Sequence, residues 1–364
     1  MLRYIFLLVI LFFNIFMAVT QDEQEVTYKV ELFQDASLVT SIVWAPDGRM
    51  FFAEKSGQVR LVSADGELQE EPVLSLNVRT ENEDGLQSIV LDPNFQESNF
   101  FYVFYTDLPI DGSESNVIAR YKEVDGVGTN RQELLRIPAN SPSHHHNGGR
   151  MIFGPDGFLY VSIGEMQQYE AAQDITRPEG KIHRFTVSGN NLFAAPGNPF
   201  AGNSVWAYGL RNVFGFYFDP ITDRLFATEN GPACDDEINL IIKGQNYNWG
   251  RLPIFDYNSY CDLPNRGAGS VQPLISFTPT IAPTGILIYD GDAFPQWQGH
   301  LFYCSFNQQQ MKRLELNDAR TAFISDPVSV STDPQPGCTI DLAEGPDGYI
   351  YYSGIIGIYR LIPS

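Results

Sequence analysis

Apolar positions along this chain come in short bursts, with aromatic and β-branched residues alternating or running together over a few positions before a Gly, Pro or Asp interrupts them. That is the rhythm of β-strands; no long stretch of the mature chain keeps the helical period. One phrase recurs: a Pro-containing turn, often Pro-Asp-Gly, followed by a short aromatic-rich strand. It reads "WAPDGRMFFAEKSGQVRLV" from Trp44, "LDPNFQESNFFYVFYT" from Leu91, "FGPDGFLYVSIGE" from Phe153 and "FDPITDRLFATENG" from Phe218. A looser copy, "GDAFPQWQGHLFYCSF", starts at Gly291, and "EGPDGYIYYSGIIGIYRL" at Glu344 ends the series. Six copies, roughly 50 to 75 residues apart, predict an all-β, six-bladed β-propeller, one copy per four-stranded blade. The proline and glycine preset a tight turn, and the strand after it is expected to pack between blades. The propeller is expected to run from residue 28 to residue 364 as one domain. The wider spacings imply long loops at 107–150, 165–205 and 232–285, where function would concentrate.

The first residues, "MLRYIFLLVILFFNIFMAVTQDEQ", follow another pattern: one Arg, an apolar run of about sixteen residues, then a polar, acidic stretch. This predicts a signal peptide over residues 1–20, ending near Ala18 and Thr20, and hence a secreted, periplasmic or cell-surface protein. Short for a membrane span, the run could also persist as an N-terminal anchor. With 44 acidic against 23 basic residues the chain carries a formal charge of −21, which argues against nucleic acid and anionic lipid as partners. Four cysteines, Cys234, Cys261, Cys304 and Cys338, allow three pairings, and proximity favours Cys234–Cys261 with Cys304–Cys338.

Two segments carry candidate chemistry. In "SHHHNGGRMIFGPDG", Gly148 and Gly149 permit close backbone approach, so the loop could lay His146 over a flat ligand as a general base. A plain solvated loop is the alternative, and copper or zinc at His144 and His145 is a weaker one. The second segment, "GLRNVFGFYFDPITDRLFATENGPACDDEINLIIKGQNYNWG", gathers Arg211, Asn212, Glu229, Asp235, Asp236, Glu237 and Asn239 around Gly231-Pro232. Such a carboxylate cluster suits Ca²⁺, a hard ion bound by oxygen; a charged turn between strands is the alternative.

Taken together and in order, these two segments, with "EDGLQSIVLDPNF" near residue 83, resemble the glucose/sorbosone dehydrogenase family. The resemblance implies a six-bladed propeller that uses pyrroloquinoline quinone (PQQ) and Ca²⁺ to oxidise sugars or related alcohols, passing electrons to an acceptor that the sequence does not identify. It implies that His146 is the catalytic base, that Arg211 contacts the cofactor and stabilises developing charge, and that Asn212 and Glu83 stand at cofactor-binding positions. Gly231 and Pro232 would hold the cofactor's calcium through backbone carbonyls, and Glu237 and Tyr247 a second calcium. The chain departs from the family pattern at Glu83, where a glutamine is usual, and at His145, where an aspartate is. It departs again at Asn307, Cys338 and Ile340, where cations normally hold the cofactor's carboxylates, with Lys312 or Arg313 as possible substitutes. Those departures keep open a calcium-stabilised propeller that binds a carbohydrate or protein without catalysis, as in the related Hedgehog-interacting-protein branch. A calcium-dependent hydrolase would need carboxylate and Asn ligands from several blades, and no such set is recognisable.

Overall fold

A computed structural model describes residues 26–109, 112–139, 141–251, 257–263, 269–330, 332 and 337–364. The expected signal peptide, residues 1–20, lies outside the described residues. Among those described, no helix is long and apolar enough to cross a membrane.

The strands form six sheets around one axis, as the repeats predict: five of four strands and one of five. After β1 (Tyr28–Asp35), blade 1 comprises β2 (Val39–Trp44), β3 (Met50–Glu54), β4 (Gln58–Val62) and β5 (Leu74–Ser75). Blade 2 comprises β6 (Leu86–Leu91), β7 (Phe100–Asp107), β8 (Ser115–Val124) and β9 (Val127–Pro138). Blade 3 comprises β10 (Gly148–Phe153), β11 (Leu159–Ile163), β12 (Lys181–Ser188), β13 (Asn191–Ala194) and the extra β14 (Val205–Tyr208). Blade 4 comprises β15 (Val213–Phe218), β16 (Leu225–Glu229), β17 (Asp236–Ile241) and β18 (Ile275–Phe277). Blade 5 comprises β19 (Pro283–Ile288), β20 (Leu301–Ser305), β21 (Gln310–Leu314) and β22 (Val328–Val330). Blade 6 comprises β23 (Leu342–Glu344), β24 (Ile350–Ser353) and β25 (Gly357–Pro363), and β1 pairs antiparallel with β25 to complete it. The two ends of the ring are therefore held by a shared sheet.

The recurring phrase is the hairpin from the first to the second strand of each blade. Successive residues of a strand point to opposite faces, so a pair of large side chains on the second strand serves two neighbouring blades. Phe51 packs against blade 2 and Phe52 against blade 6; Leu159 faces blade 2 and Tyr160 blade 4; Phe226 and Phe302 do the same further round. Six apolar clusters result, one at each blade junction. Each buried Phe, Leu or Tyr contributes about 1.5–3 kcal/mol of apolar transfer. The aspartate of the turn has a second use. Asp92, Asp156 and Asp347 accept hydrogen bonds from the hydroxyls of Tyr102, Tyr160 and Tyr351 at 2.9, 3.0 and 2.8 Å. Both expected disulfides form. Cys304–Cys338 links β20 to the segment entering β23, across the junction of blades 5 and 6.

Of the expected long loops, 107–150 is mostly strand, whereas 165–205 and 232–285 are strand only in part. Residues 107–150 contain the β8–β9 hairpin, and 165–205 and 232–285 contain β12, β13, β17 and β18. These third and fourth strands lack the turn phrase and the aromatic runs, so nothing in their pattern sets them apart from loops. Among the described residues, three connections are joined to one another: Ser141 and Ser143 hydrogen-bond to Gln167, and Gln173 to Asn246 and Trp249.

Candidate active site

The start of the first strand in each blade borders a cavity of about 520 Å³, lined among others by Thr40, Glu83, Gln87, His145, Gly148, Arg150, Phe214, Thr284 and Ile340. The histidine segment closes one side. His146 has a left-handed backbone, φ 64°, and its carbonyl lies where a Cβ on Gly164 would sit, so only glycine fits there. A Cβ on Gly148, φ 66°, would lie 2.7 Å from the Gly164 nitrogen. The loop is stitched down by the Met166 N–H to the His146 carbonyl (3.1 Å) and by the His146 N–H to Glu83 Oε2 (2.8 Å). The close approach expected of the glycine pair is thus used to seat the histidine.

The His146 ring is 6% exposed, and its Nδ1 makes a short hydrogen bond with Glu165 Oε1, itself fully buried. Burial, with the Arg211 charge second, pushes the imidazole down to about 3. Burial raises the Glu165 carboxyl to about 7. With Glu165 ionised, the shared proton sits on Nδ1 and the ring is a neutral base whose Nε2 takes a proton. Glu165 went unassigned in the sequence, although it closes the repeated phrase of blade 3. Its signal was "GE" directly after a fully buried strand: a carboxylate placed there needs a polar partner.

Arg211 is 7% exposed, and its guanidinium stacks over Trp249 at 5.3 Å. Its backbone N–H donates to Glu229 Oε1 (2.6 Å), its carbonyl accepts from the Glu165 N–H (2.8 Å), and Nη1 donates to the Asn230 carbonyl (2.6 Å). One residue thereby ties β16 to the His146–Glu165 pair. Asn212 donates to Glu83 Oε2 (3.0 Å) and accepts from the Gly148 N–H (3.2 Å). Glu83 and Asn212 thus share their contacts with the histidine loop and hold it in place.

Gly231, Pro232, Glu237 and Tyr247 come together, with Arg211, Glu229 and Asp235, around a second cavity of about 30 Å³, the size of one ion or water. Glu229 and Glu237 are register partners on β16 and β17, and both accept from Asn239 Nδ2, at 3.1 and 3.0 Å. Like charges facing each other across a sheet are unfavourable. Burial first, and Glu237 second, push Glu229 up to about 8. Oxygen donors of this kind fit a hard divalent cation, which would relieve that repulsion. The Tyr247 hydroxyl is committed to the Leu240 carbonyl (2.6 Å) and the Ile242 N–H (2.9 Å), which leaves its backbone carbonyl as the donor for an ion. Asp236, counted in the acidic cluster, accepts instead from the backbone N–H groups of Gly231, Ile281 and Ala282 and anchors the turn to blade 5.

Of the positions where cations are usual, Asn307 and Ile340 line the large cavity, and Cys338 is locked in its disulfide and fully buried. Lys312 pairs with Ser329 and Arg313 with His300, so neither reaches across. Two other cations do line the cavity: Lys55 from blade 1 and Arg150 from blade 3. His144 turns away, into a cluster with Asp84 and Glu114 that already surrounds the Arg79 guanidinium. Among the described residues, that is the one place where three His, Asp or Glu side chains bring ligand atoms within 4.8 Å of one another, and a protein cation fills it.

The fold agrees with that of known proteins. Residues 37–354 match the model of the family described as Glucose / Sorbosone dehydrogenase. The chain belongs to that family. It is 28% identical to the aldose sugar dehydrogenase YliI of Escherichia coli (strain K12), over 89% of each chain. It is 25% identical to the quinoprotein glucose dehydrogenase B of Acinetobacter calcoaceticus, covering 86% of this chain and 82% of that protein. The crystal structure of the soluble aldose sugar dehydrogenase of E. coli in its apo-form superposes with a TM-score of 0.81 at 27% identity, covering 93% of this chain and all of that one. This membership points to a dehydrogenase role.

Proposed function

We propose that the protein is an exported, calcium-dependent quinoprotein dehydrogenase that oxidises sugars or related alcohols with PQQ. The observation that carries this reading is the buried His146–Glu165 pair, which sits beside Arg211 and directly behind His145, Glu83 and Gly148 in the wall of the axial cavity. PQQ fits the donor set. The cavity is large enough for a flat tricyclic acid; Lys55 and Arg150 line it, Arg211 lines the small cavity that shares Asn230 with it, and these cations would serve its carboxylates and quinone oxygens. Of the nearby acids, Glu83 Oε2 is satisfied by two N–H donors, and Asp84 is held by Asn147, Arg79 and His144. Gly231 and Pro232 would offer carbonyls to the cofactor's calcium, and Glu237 with the Tyr247 carbonyl would bind a structural one.

When bound, the quinone supplies the hydride acceptor. The chain's own residues do the rest. His146 Nε2 takes the proton of the substrate hydroxyl while Glu165 holds the ring in that tautomer and balances the imidazolium that forms. Arg211 presents a fixed positive charge to the oxygen on which negative charge develops. The buried loop keeps water from the reacting atoms.

The test is a titration of the calcium-loaded protein with PQQ, followed by its absorbance, then a panel of aldoses with an artificial dye. Stoichiometric uptake and dye reduction that is lost in His146→Ala support the reading. The apolar Ile340 and the disulfide-bound Cys338 favour a second one, a binding propeller. No uptake at tens of micromolar, with calcium still raising the melting temperature, would establish it instead.

A further inference from the structure

All six first strands also enclose a second cavity on the axis, about 310 Å³, toward the Pro-Asp-Gly turns and away from the histidine loop. Ile42, Ile89, Met151, Phe216, Ile286 and Leu342, one from each blade, give it apolar walls. Arg150 lines both cavities, and its guanidinium reaches across the axis from blade 3 to Asp341 of blade 6 at 2.6 Å. This ion pair is the partition between the two spaces.

The polar groups of the lower cavity are mostly donors. Arg150 stands at the deep end. Trp44 lines the outer part with its ring. Tyr217 lies beside it, its hydroxyl kept protonated because burial, with Glu344 second, pushes it up to about 12. The two acids are already engaged: Asp341 by Arg150 and the Ile42 N–H, Glu344 by the N–H groups of Asp290 and Gly291. Apolar walls with donors at both ends fit a small, flat, apolar body that carries acceptor oxygens at opposite edges. An anion would meet Glu344 and Asp341, and a cation would meet the guanidinium.

We propose that this lower cavity is a binding site for a small quinone. Oxidising one alcohol to a carbonyl releases two electrons and two protons, and a quinone that gains both becomes its hydroquinone, so the balance closes with this molecule as the final acceptor. That redox role rests on the dehydrogenase reading; the binding does not.

The test is calorimetric titration of the calcium-loaded protein with menadione, without PQQ or sugar. The chain has no free thiol among its cysteines to react with the probe. One-to-one binding is expected, weakened at least tenfold by Ala343→Phe and by Val43→Phe, which fill the lower cavity. Ile340→Phe, in the upper cavity, should leave it unchanged. Tyr217→Phe, which keeps the ring and removes the hydroxyl, should weaken it several-fold. Melting curves identify any variant that fails to fold, and either filling variant suffices. Absence of saturable binding, or binding lost in Ile340→Phe and retained in folded Ala343→Phe and Val43→Phe, overturns the proposal. Binding at the lower cavity in a protein that never reduces dye would uphold the site and remove only the dehydrogenase reading.

Discussion

At the scale of single residues, the site depends on a histidine held in a conformation that histidine seldom adopts. The left-handed backbone at His146 costs about 1–2 kcal/mol and persists because Glu83, Met166 and the missing Cβ of Gly164 hold it from three sides. Glu83→Gln keeps an oxygen for both donors and should change activity little, whereas Glu83→Ala should lower kcat/KM by about tenfold or more through a misplaced ring. The His146–Glu165 pair sets the pH dependence. Above about pH 7 Glu165 is ionised, Nδ1 carries the proton and Nε2 is basic; below it Glu165 is protonated, donates to Nδ1 and leaves the proton on Nε2. Activity should therefore fall as pH drops through about 7. Glu165→Gln should flatten that limb and lower kcat by about 10²-fold, within the range of general-base effects. Steady-state rates from pH 5 to 9 check both. His146 and Arg211 stood out in the sequence because each lies in a segment that resembles the family, and their roles were expectations from that resemblance. Glu165 did not, since one carboxylate at a strand end looks like any surface residue until its burial is known.

At the scale of strands, the repeated hairpin explains why the blade count could be read directly and the loops could not. The first two strands must pack on both neighbours and on the axis, so their residues are constrained to aromatic pairs, a turn proline and an aspartate that caps a tyrosine. The outer strands touch solvent, and many sequences satisfy them. The β16–β17 pair shows an element kept for something other than stability: two glutamates face each other in register. Calcium bound there should raise the melting temperature, by the equivalent of about 2.7 kcal/mol when the ion is at a hundred times its Kd. Glu237→Gln should remove most of that response, and in the absence of calcium it should melt above the parent, because the buried Glu229 then faces a neutral amide in place of a carboxylate. Calorimetry with and without chelator distinguishes these outcomes.

Across the whole molecule, stability and function share the axis. The ring is closed by β1 on β25 and by six junction clusters, while the centre is crossed by one ion pair between opposite blades. Arg150→Met leaves Asp341 buried with only the Ile42 N–H and should cost about 3–5 kcal/mol, while Arg150→Met with Asp341→Leu should recover much of it. Denaturant unfolding of both variants checks this. The cations that could serve the cofactor arrive from blades 1 and 3, far in sequence from the positions where the family pattern places them, and only the closed ring brings them together. The central claim is that His146 acts as the base on a substrate bound in the axial cavity. Its most direct test is a single-turnover measurement: mix PQQ- and calcium-loaded protein with glucose in the absence of dye and follow cofactor reduction in the parent chain and in His146→Ala. Equal PQQ affinity with reduction slowed about 10³-fold in the variant is the expected result; equal rates in the two proteins would contradict the account.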